Sequence, residues 1–158
     1  AKCPVIIDAD GINNLCRDID MLKDRTCPVI LTPHAGEMAS LCRCKASDIL
    51  RRPIGYAQEF AKEHNVILVL KGANTIVATP DGRIAVNSTG NPGLAKAGSG
   101  DVLTGMIGSF VSQGMSAEDA AKCGVYLHGL AADHCAQRLG QAYMQPNDIL
   151  QDMGEILQ

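Results

Sequence analysis

The amino-acid sequence predicts an α/β protein in which helices surround a mostly parallel β-sheet. Short apolar runs alternate with helical patterns up to about residue 70, which is the order expected for parallel β-α-β crossovers. The pattern then changes at Pro80-Asp81-Gly82, a turn signal that lies between two further strand-like runs. We therefore expect an antiparallel hairpin attached to the parallel strands, followed by three helices.

Each element is predicted from its local pattern. Clusters of β-branched and other apolar residues predict strands at residues 5–7, 29–31, 66–70, 75–78 and 84–86. Helices are predicted at residues 12–22, from His34 onward, at 47–64 with a break at Pro53, and at 100–113, 116–139 and 147–157. Ser47 is the expected N-cap of its helix, and Ser116 followed by Asp119 is a typical N-terminal signal.

The composition is that of an ordinary soluble globular protein. A length of 158 residues suits one domain, expected over residues 1–158, with enough apolar residues (46%) to bury a core. The net charge of −3 and the scarcity of aromatic side chains argue against nucleic acid as a partner. The sequence contains no long apolar segment, so insertion into a membrane is not predicted.

The seven cysteines do not predict a metal site. Cys42 and Cys44 are the one close pair, and a zinc site would require a second pair that the sequence does not contain. Free thiols are typical of the reducing cytosol, so a cytoplasmic location is expected.

The segment from Gly90 to Gly105 carries the clearest chemical signal. Gly98, Ser99 and Gly100 lead into a predicted helix, whose first turn would offer free backbone N–H groups to phosphate oxygens. Asp101 lies in the same turn, where a carboxylate would repel phosphate unless it accepts a proton or holds a metal ion. The segment predicts phosphoryl transfer, although a tight turn with Asp101 as a helix cap is an alternative.

Four sequence blocks occur in order along the chain: DADGIN at 8–13, TPHAGE at 32–37, KGANT at 71–75, and the glycine-rich segment at 90–105. Together they closely resemble the ADP/ATP-dependent NAD(P)H-hydrate dehydratase family of the ribokinase-like superfamily. The resemblance implies a three-layer α/β/α fold. It covers only the later part of that family's domain, so an N-terminal part of the fold is expected to be missing from this chain or supplied by an associated segment.

This resemblance also implies a repair reaction on hydrated NADH or NADPH. A nucleotide phosphorylates the hydroxyl of the hydrated nicotinamide ring, and phosphate then leaves as the double bond re-forms. Bacterial members usually convert ADP to AMP, whereas eukaryotic members usually use ATP. The implied cofactors are Mg²⁺ and ADP or ATP, and the activity is that of a carbon–oxygen lyase.

The family resemblance assigns roles to the residues of the glycine-rich segment. Asp101 matches the catalytic aspartate, which would deprotonate the substrate hydroxyl. Gly98, Ser99 and Gly100 match the anion hole, and Gly100 also matches a nucleotide-contacting position. Relatives often have Thr where this chain has Ser99, which keeps the hydroxyl.

The KGANT block is expected to hold the nucleotide phosphate. Its members are Lys71, Gly72, Ala73, Asn74 and Thr75. Lys71 directly follows a buried strand, and open α/β sheets bind ligands at the carboxyl ends of their strands. A solvated surface lysine is the alternative for Lys71, and a close backbone approach is the expected reason for Gly72.

On the substrate side, His34 matches a histidine that contacts the hydrated nicotinamide nucleotide, although a histidine at a helix start can also be a simple cap. Asp10 and Asn13, with Asp8, follow the first strand and are expected to orient substrate, or water around Mg²⁺. An N-cap role for Asp10 stays equally open. The other histidines, including His128, match no motif and are expected to be structural.

Two other functions compete with this interpretation. A ribokinase-like small-molecule kinase, of the hydroxymethylpyrimidine or hydroxyethylthiazole type, would phosphorylate a hydroxyl and stop there. A non-catalytic nucleotide-binding fragment would bind without turnover. Self-association to a homo-oligomer is expected from small residues in the 116–139 helix, such as Ala120, Gly124 and Gly129, which would let another helix approach.

Overall fold

The computed structural model describes residues 3–157. Its strands are β1 (Val5–Ile7), β2 (Val29–Leu31), β3 (Ile67–Leu70), β4 (Ile76–Ala78) and β5 (Ile84–Val86). Its α-helices are α1 (Asp10–Leu15), α2 (Ala35–Leu41), α3 (Ala46–Arg51), α4 (Pro53–His64), α5 (Ser99–Ser112), α6 (Ala117–Leu139) and α7 (Pro146–Ile156). Two 3₁₀ turns span Ile19–Leu22 and Pro92–Leu94.

The strands form one sheet in the order β1-β2-β3-β4-β5. The pairs β1–β2 and β2–β3 are parallel, whereas β4 is antiparallel to both of its neighbours. Four of the five strands therefore run in the same direction, and β4 with β5 forms the hairpin. This arrangement confirms the predicted α/β class, with a mostly parallel sheet and an antiparallel hairpin.

Helices cover both faces of the sheet. Successive strand residues point to opposite sides, so Leu31 and Leu68 belong to a core shared with α1 to α4. Ile30 and Val69 belong to a second core, formed with α5 and α6. The result is the three-layer α/β/α arrangement that the family resemblance implied.

Two helix predictions are wrong in detail. The helix expected over residues 12–22 ends at Leu15 and is followed by the separate 3₁₀ turn Ile19–Leu22. Asp18 interrupts it with an extended backbone (φ −149°), and short polar side chains such as Asp and Asn compete with helix formation. Ser47 is not an N-cap, because Lys45 occupies that position and donates its backbone N–H to Asp48.

The break at Pro53 is confirmed, since α4 begins at that residue. Proline is favoured in the first helical turn, because its missing N–H would have no intrahelical partner there.

The small residues of α6 pack within the chain. A Cβ added to Gly124 would lie 2.6 Å from Cγ1 of Ile107 in α5, and one added to Gly129 would collide with Thr89. Their size is thus explained by contacts inside the domain, and self-association stays a prediction without support from this helix. No helix within residues 3–157 has both the length and the apolar character required to cross a bilayer.

Candidate active site

A cleft of about 750 Å³ opens where the carboxyl ends of β1 and β3 face the start of α5. This is the edge of the sheet at which open α/β proteins usually bind ligands. All four sequence blocks contribute to its lining, through Asp8, His34, Lys71, Gly72, Ala73, Thr75, Gly98, Ser99, Gly100 and Asp101. The cleft is therefore the candidate active site.

The first turn of α5 presents free backbone donors to this cleft. Gly98 precedes the helix with φ +93°, a conformation that residues with a Cβ rarely adopt. The N–H of Ser99 donates to the carbonyl of Lys96 at 3.2 Å. The N–H groups of Gly100 and Asp101 have no acceptor in the described part of the chain. Of the predicted anion hole, Gly98 and Gly100 thus have N–H groups without an acceptor in the described residues, whereas the N–H of Ser99 is used.

Asp101 occupies the third position of α5, and its exposed carboxylate borders the cleft. Gly98 is the residue at the N-cap position. Among residues 3–157, no group donates a hydrogen bond to the Asp101 carboxylate. The alternative in which Asp101 only caps its helix is not what the structure shows, and the carboxylate is available to a ligand.

Two buried polar atoms next to this turn have no partner in the part of the chain that the structure describes. They are Oγ of Ser99 and Nε2 of His128, a residue of α6 that also lines the cleft. Burial lowers the pKa of His128 to about 4, against a smaller opposite effect from the Ser99 backbone, so its imidazole is neutral at pH 7. Buried polar atoms usually have partners, which marks both atoms as candidates for contact with ligand or water.

Asp8, at the end of β1, connects three elements around the cleft. Its Oδ1 accepts a hydrogen bond from Nζ of Lys71 at 2.8 Å, and its Oδ2 accepts one from Oγ1 of Thr104 in α5 at 2.8 Å. Burial by itself would raise the pKa of the Asp8 carboxyl, but these hydrogen bonds and the charge of Lys71 hold that pKa below its usual value. Asp8 and Lys71 therefore form an ion pair, with side chains only 10% and 20% exposed.

His34 and Lys71 lie side by side at the rim of the cleft. The backbone N–H of Lys71 donates to the carbonyl of Pro33 at 2.8 Å, which continues the parallel pairing of β2 and β3 beyond the strands. The TPHAGE and KGANT blocks of the sequence are thus joined directly through the backbone.

His34 is the N-cap of α2. Its Nδ1 accepts hydrogen bonds from the N–H groups of Gly36 and Glu37, while the Glu37 carboxylate accepts one from the N–H of His34. A neutral imidazole that accepts at Nδ1 carries its proton on Nε2. Nε2 lies 3.5 Å from Oε1 of Glu37, and the side chain is 60% exposed, so His34 caps the helix and also borders the cleft.

The remaining members of the KGANT block have different surroundings. Oγ1 of Thr75 donates to the Gly72 carbonyl at 3.2 Å, and Nδ2 of Asn74 donates to the Asn87 carbonyl at 3.3 Å. Asn74 therefore supports the turn from outside the lining. A Cβ added to Gly72 would meet no protein atom within 4 Å, so a close approach of the protein's own backbone does not explain this glycine.

Asp10 and Asn13 are exposed on α1 and lie outside the lining of the cleft. Nδ2 of Asn13 donates to Oδ1 of Asp10 at 3.3 Å, so the two side chains contact each other. The N-cap of α1 is Ala9, not Asp10. Asp8 lines the cleft, whereas Asp10 and Asn13 do not.

Several lining residues were not predicted from the sequence to belong to the site. They include Asn87, Thr89, His128 and Gly129. His128 was expected to be structural, because a histidine within an apolar helix gives no local signal of function. Its position became informative only when the fold brought α6 next to Ser99.

A cluster of potential metal ligands lies outside the cleft lining, where α6 meets α7. His134, Asp152 and Glu155 place one ligand atom each within 4.8 Å of one another. The Asp152 carboxylate already accepts hydrogen bonds from Arg138 at 3.1 and 3.2 Å. An ion pair therefore accounts for Asp152 without a metal.

Comparison with known proteins places this fold and cleft in a family. The sequence profile described as NAD(P)H-hydrate dehydratase matches residues 1–154, almost the whole chain. The chain belongs to the NAD(P)H-hydrate dehydratase family. Over 156 residues it is 44% identical to a bifunctional NAD(P)H-hydrate repair enzyme Nnr from Moorella thermoacetica, covering 99% of this chain and 29% of that protein.

Solved structures agree with this membership of the NAD(P)H-hydrate dehydratase family. An ADP/ATP-dependent NAD(P)H-hydrate dehydratase from Bacillus subtilis, co-crystallised with ATP and Mg²⁺, is 33% identical with a TM-score of 0.87. A ribokinase-like superfamily protein from Enterococcus faecalis is 27% identical with a TM-score of 0.81. The alignments cover 99% and 96% of this chain but only 55% and 51% of those structures, so the chain spans about half their length.

Proposed function

We propose that this chain carries the phosphoryl-transfer part of a nucleotide-dependent NAD(P)H-hydrate dehydratase. The observation that supports it best is the start of α5, where the unpartnered Asp101 carboxylate stands beside the free N–H groups of Gly100 and Asp101. A base next to an anion-binding turn is the arrangement needed to activate a hydroxyl for attack on phosphorus. The substrate is hydrated NADH or NADPH, and the phosphoryl donor is ADP or ATP.

In the proposed first step, the Asp101 carboxylate accepts the proton of the substrate hydroxyl as its oxygen attacks the terminal phosphorus of the nucleotide. The bond between that phosphorus and the bridging oxygen breaks, and AMP leaves with the electron pair when ADP is the donor. The N–H groups of Gly100 and Asp101 stabilise the negative charge that develops on the transferred group. The Lys71 ammonium neutralises part of the same charge.

In the second step, the bond between the ring carbon and the phosphate oxygen breaks, and the electron pair leaves with phosphate. Water accepts a proton from the neighbouring ring carbon, and the electron pair of that C–H bond re-forms the double bond of the nicotinamide ring. His34 is the proposed contact to the nicotinamide nucleotide, through its side chain, which is 60% exposed at the rim of the cleft. Thr75 and Ala73 are the proposed neighbours of the nucleotide phosphate beside Lys71.

The cleft also fits the Mg²⁺ that the family resemblance implies. Mg²⁺ is typically bound through one or two carboxylates together with the phosphates of the substrate, and it retains several waters. Of the three lining carboxylates, Asp101 accepts no hydrogen bond from the described residues, whereas both oxygens of Asp8 accept one and Glu37 accepts one from the N–H of His34. When bound, Mg²⁺ would neutralise phosphate charge beside Asp101.

Location and assembly are further parts of the proposal. All seven cysteines are free, which suits a reducing compartment such as the cytoplasm. Self-association, or association with a further segment of the fold, is part of the proposal because the chain spans about half the length of its solved relatives.

Recovery of the absorbance of reduced nicotinamide is the decisive test. The chain is mixed with hydrated NADH or NADPH, Mg²⁺, and ADP or ATP, and the parent is compared with Asp101→Asn. We expect recovery with the parent and a loss of about a hundredfold or more with Asp101→Asn, at unchanged ADP affinity. Asp20→Asn, which removes an exposed carboxylate paired with Lys23, is the matched control.

The same assay separates the alternatives. A phosphorylated product that accumulates without recovery of absorbance would identify a small-molecule kinase. ADP binding without turnover in either variant would identify a non-catalytic nucleotide-binding fragment.

A further inference from the structure

We infer that Asp8 is a positioning residue, which holds the Lys71 ammonium against the first turn of α5 so that a nucleotide phosphate is bound between Lys71 and Gly100. The inference rests on the proposed function, because it concerns the same cleft. It goes further by assigning a role to Asp8, which touches no phosphate itself and acts through Lys71.

The ammonium of Lys71 lies close to Gly100. A Cβ added to Gly100 would lie 3.2 Å from Nζ of Lys71 and 3.9 Å from Oδ2 of Asp8. The ammonium therefore touches the surface of the turn whose N–H groups at Gly100 and Asp101 are free. An ammonium has three N–H donors, and Asp8 takes one of them, which leaves two for an oxyanion that Gly100 can bind at the same time.

Asp8 itself is fixed from the opposite side. Thr104 lies one helical turn beyond Gly100, and its hydroxyl holds Oδ2 of Asp8 at 2.8 Å. Asp8 thus ties the end of β1 to α5 and to the residue that follows β3. The ammonium of a flexible lysine is placed by a short, nearly buried carboxylate, which reduces the conformational freedom that binding would otherwise remove.

The charges in this arrangement predict that the effect of Asp8 on phosphate affinity changes sign when Lys71 is removed. With Lys71 present, Asp8 orients the ammonium and its own charge is compensated. Without Lys71, the same carboxylate is an uncompensated negative charge close to the phosphate, and it repels the nucleotide. Removing the charge of Asp8 should therefore weaken phosphate binding when Lys71 is present and strengthen it when Lys71 is absent.

A double-mutant cycle of the whole chain tests this prediction by calorimetry with ADP and with inorganic pyrophosphate. Asp8→Asn should weaken ADP binding about tenfold in the parent, the loss typical of one charge-assisted hydrogen bond. In the Lys71→Met background, Asp8→Asn should tighten binding by about threefold or more. Pyrophosphate should show the same reversal, because the effect concerns phosphate alone.

The result that overturns the inference is a loss of affinity with Asp8→Asn in both backgrounds, which would mean direct contact of Asp8 with the ligand or a structural effect. Equal affinities in all four proteins would overturn it as well, as would a parent chain that binds neither ADP nor pyrophosphate. The proposed function fails separately, when ADP binds but hydrated NADH is not repaired.

Thr104 provides a second pair of variants if Asp8→Asn folds poorly. Thr104→Val removes the hydroxyl that holds Asp8, and it should weaken ADP binding by about threefold, whereas Thr104→Ser should keep parent affinity. Equal affinity of Thr104→Val and Thr104→Ser would count against the inference. Asp20→Asn again serves as the control for loss of a carboxylate elsewhere.

Discussion

The carboxylate of Asp133, in the middle of α6, accepts a hydrogen bond from the backbone N–H of Gly90 at 2.8 Å. The same carboxylate accepts a second hydrogen bond from Nδ2 of Asn91 at 2.9 Å. Together these bonds anchor the beginning of the glycine-rich segment to a helix more than 40 residues away in sequence. The end of the segment is held separately, since Nζ of Lys96 donates to the carbonyls of Ala142 and Met144.

Asp133→Ala should therefore destabilise the protein by about 2 kcal/mol, because it removes two hydrogen bonds to a charged acceptor. Urea unfolding measures the change in the free energy of unfolding. The control Asp20→Asn lies in an exposed ion pair and should leave the unfolding midpoint unchanged. Equal midpoints for Asp133→Ala and the parent would show that the anchor does not contribute to stability.

Gly100→Ala should separate stability from nucleotide binding. Alanine favours a helix by up to about 1 kcal/mol over glycine, which offsets the tight contact with Lys71, so the stability of the variant should stay close to that of the parent. Its Cβ would lie 3.2 Å from Nζ of Lys71 and displace the ammonium, so ADP affinity should fall several-fold.

Gly105→Ala in the same helix is the matched control for that experiment, since its Cβ would meet no atom within 4 Å. Thermal unfolding and calorimetry with ADP should show that it stabilises the protein and leaves ADP affinity unchanged. A loss of affinity in both variants would mean that helix rigidity, not the contact with Lys71, controls binding.

Ser99→Ala should raise the free energy of unfolding by about 1 kcal/mol, because the buried Oγ of Ser99 has no partner within the described residues. The same substitution should lower ADP affinity, since that hydroxyl borders the cleft. Ser99→Thr keeps the hydroxyl and should retain binding. If Ser99→Ala proves less stable than the parent, the hydroxyl has a partner in solution, such as a buried water.

His128 should make stability depend on pH between 6.5 and 4. Burial lowers its pKa from 6.5 to about 4, so in that window the unfolded chain binds a proton that the folded protein does not. The free energy of unfolding should consequently decrease as the pH falls from 6.5 to 4, by about 3 kcal/mol in total.

Urea unfolding across this pH range should show the decrease in the parent, whereas in His128→Gln only a small decrease near pH 4 should remain, from carboxylates such as Asp8 whose pKa is held low. His64→Gln, which removes a histidine outside the cleft, should keep the parent's pH dependence. Parallel pH profiles for His128→Gln and the parent would exclude His128 as the source.

Much of the fold was predictable because its signals are local. The apolar runs at 29–31 and 67–70, the turn at Pro80-Asp81-Gly82, and the break at Pro53 all depend on neighbouring residues. The glycine-rich turn with Asp101 was found for the same reason. What these residues bind is still a prediction, because it depends on a ligand.

Other features of the cleft depend on contacts between distant positions and were not predictable. Asp8 and Thr104 are 96 residues apart, and no local pattern indicates that they share a hydrogen bond. The hydrogen bond from the Ser99 N–H to the Lys96 carbonyl depends on the path of the loop between them. The unpartnered state of His128 depends on how α6 packs against α5.

The hydrogen bond from the Lys71 N–H to the Pro33 carbonyl has a thermodynamic consequence. It joins the peptide that leads into His34 to Lys71, the residue proposed to bind the phosphate, so under the proposed function a ligand that displaces one rim of the cleft would also act on the other. Linkage makes such an effect reciprocal: whatever factor the nucleotide contributes to the affinity for the hydrated dinucleotide, the dinucleotide returns to the nucleotide. Under the proposed function, one peptide hydrogen bond would thereby make the two binding equilibria interdependent.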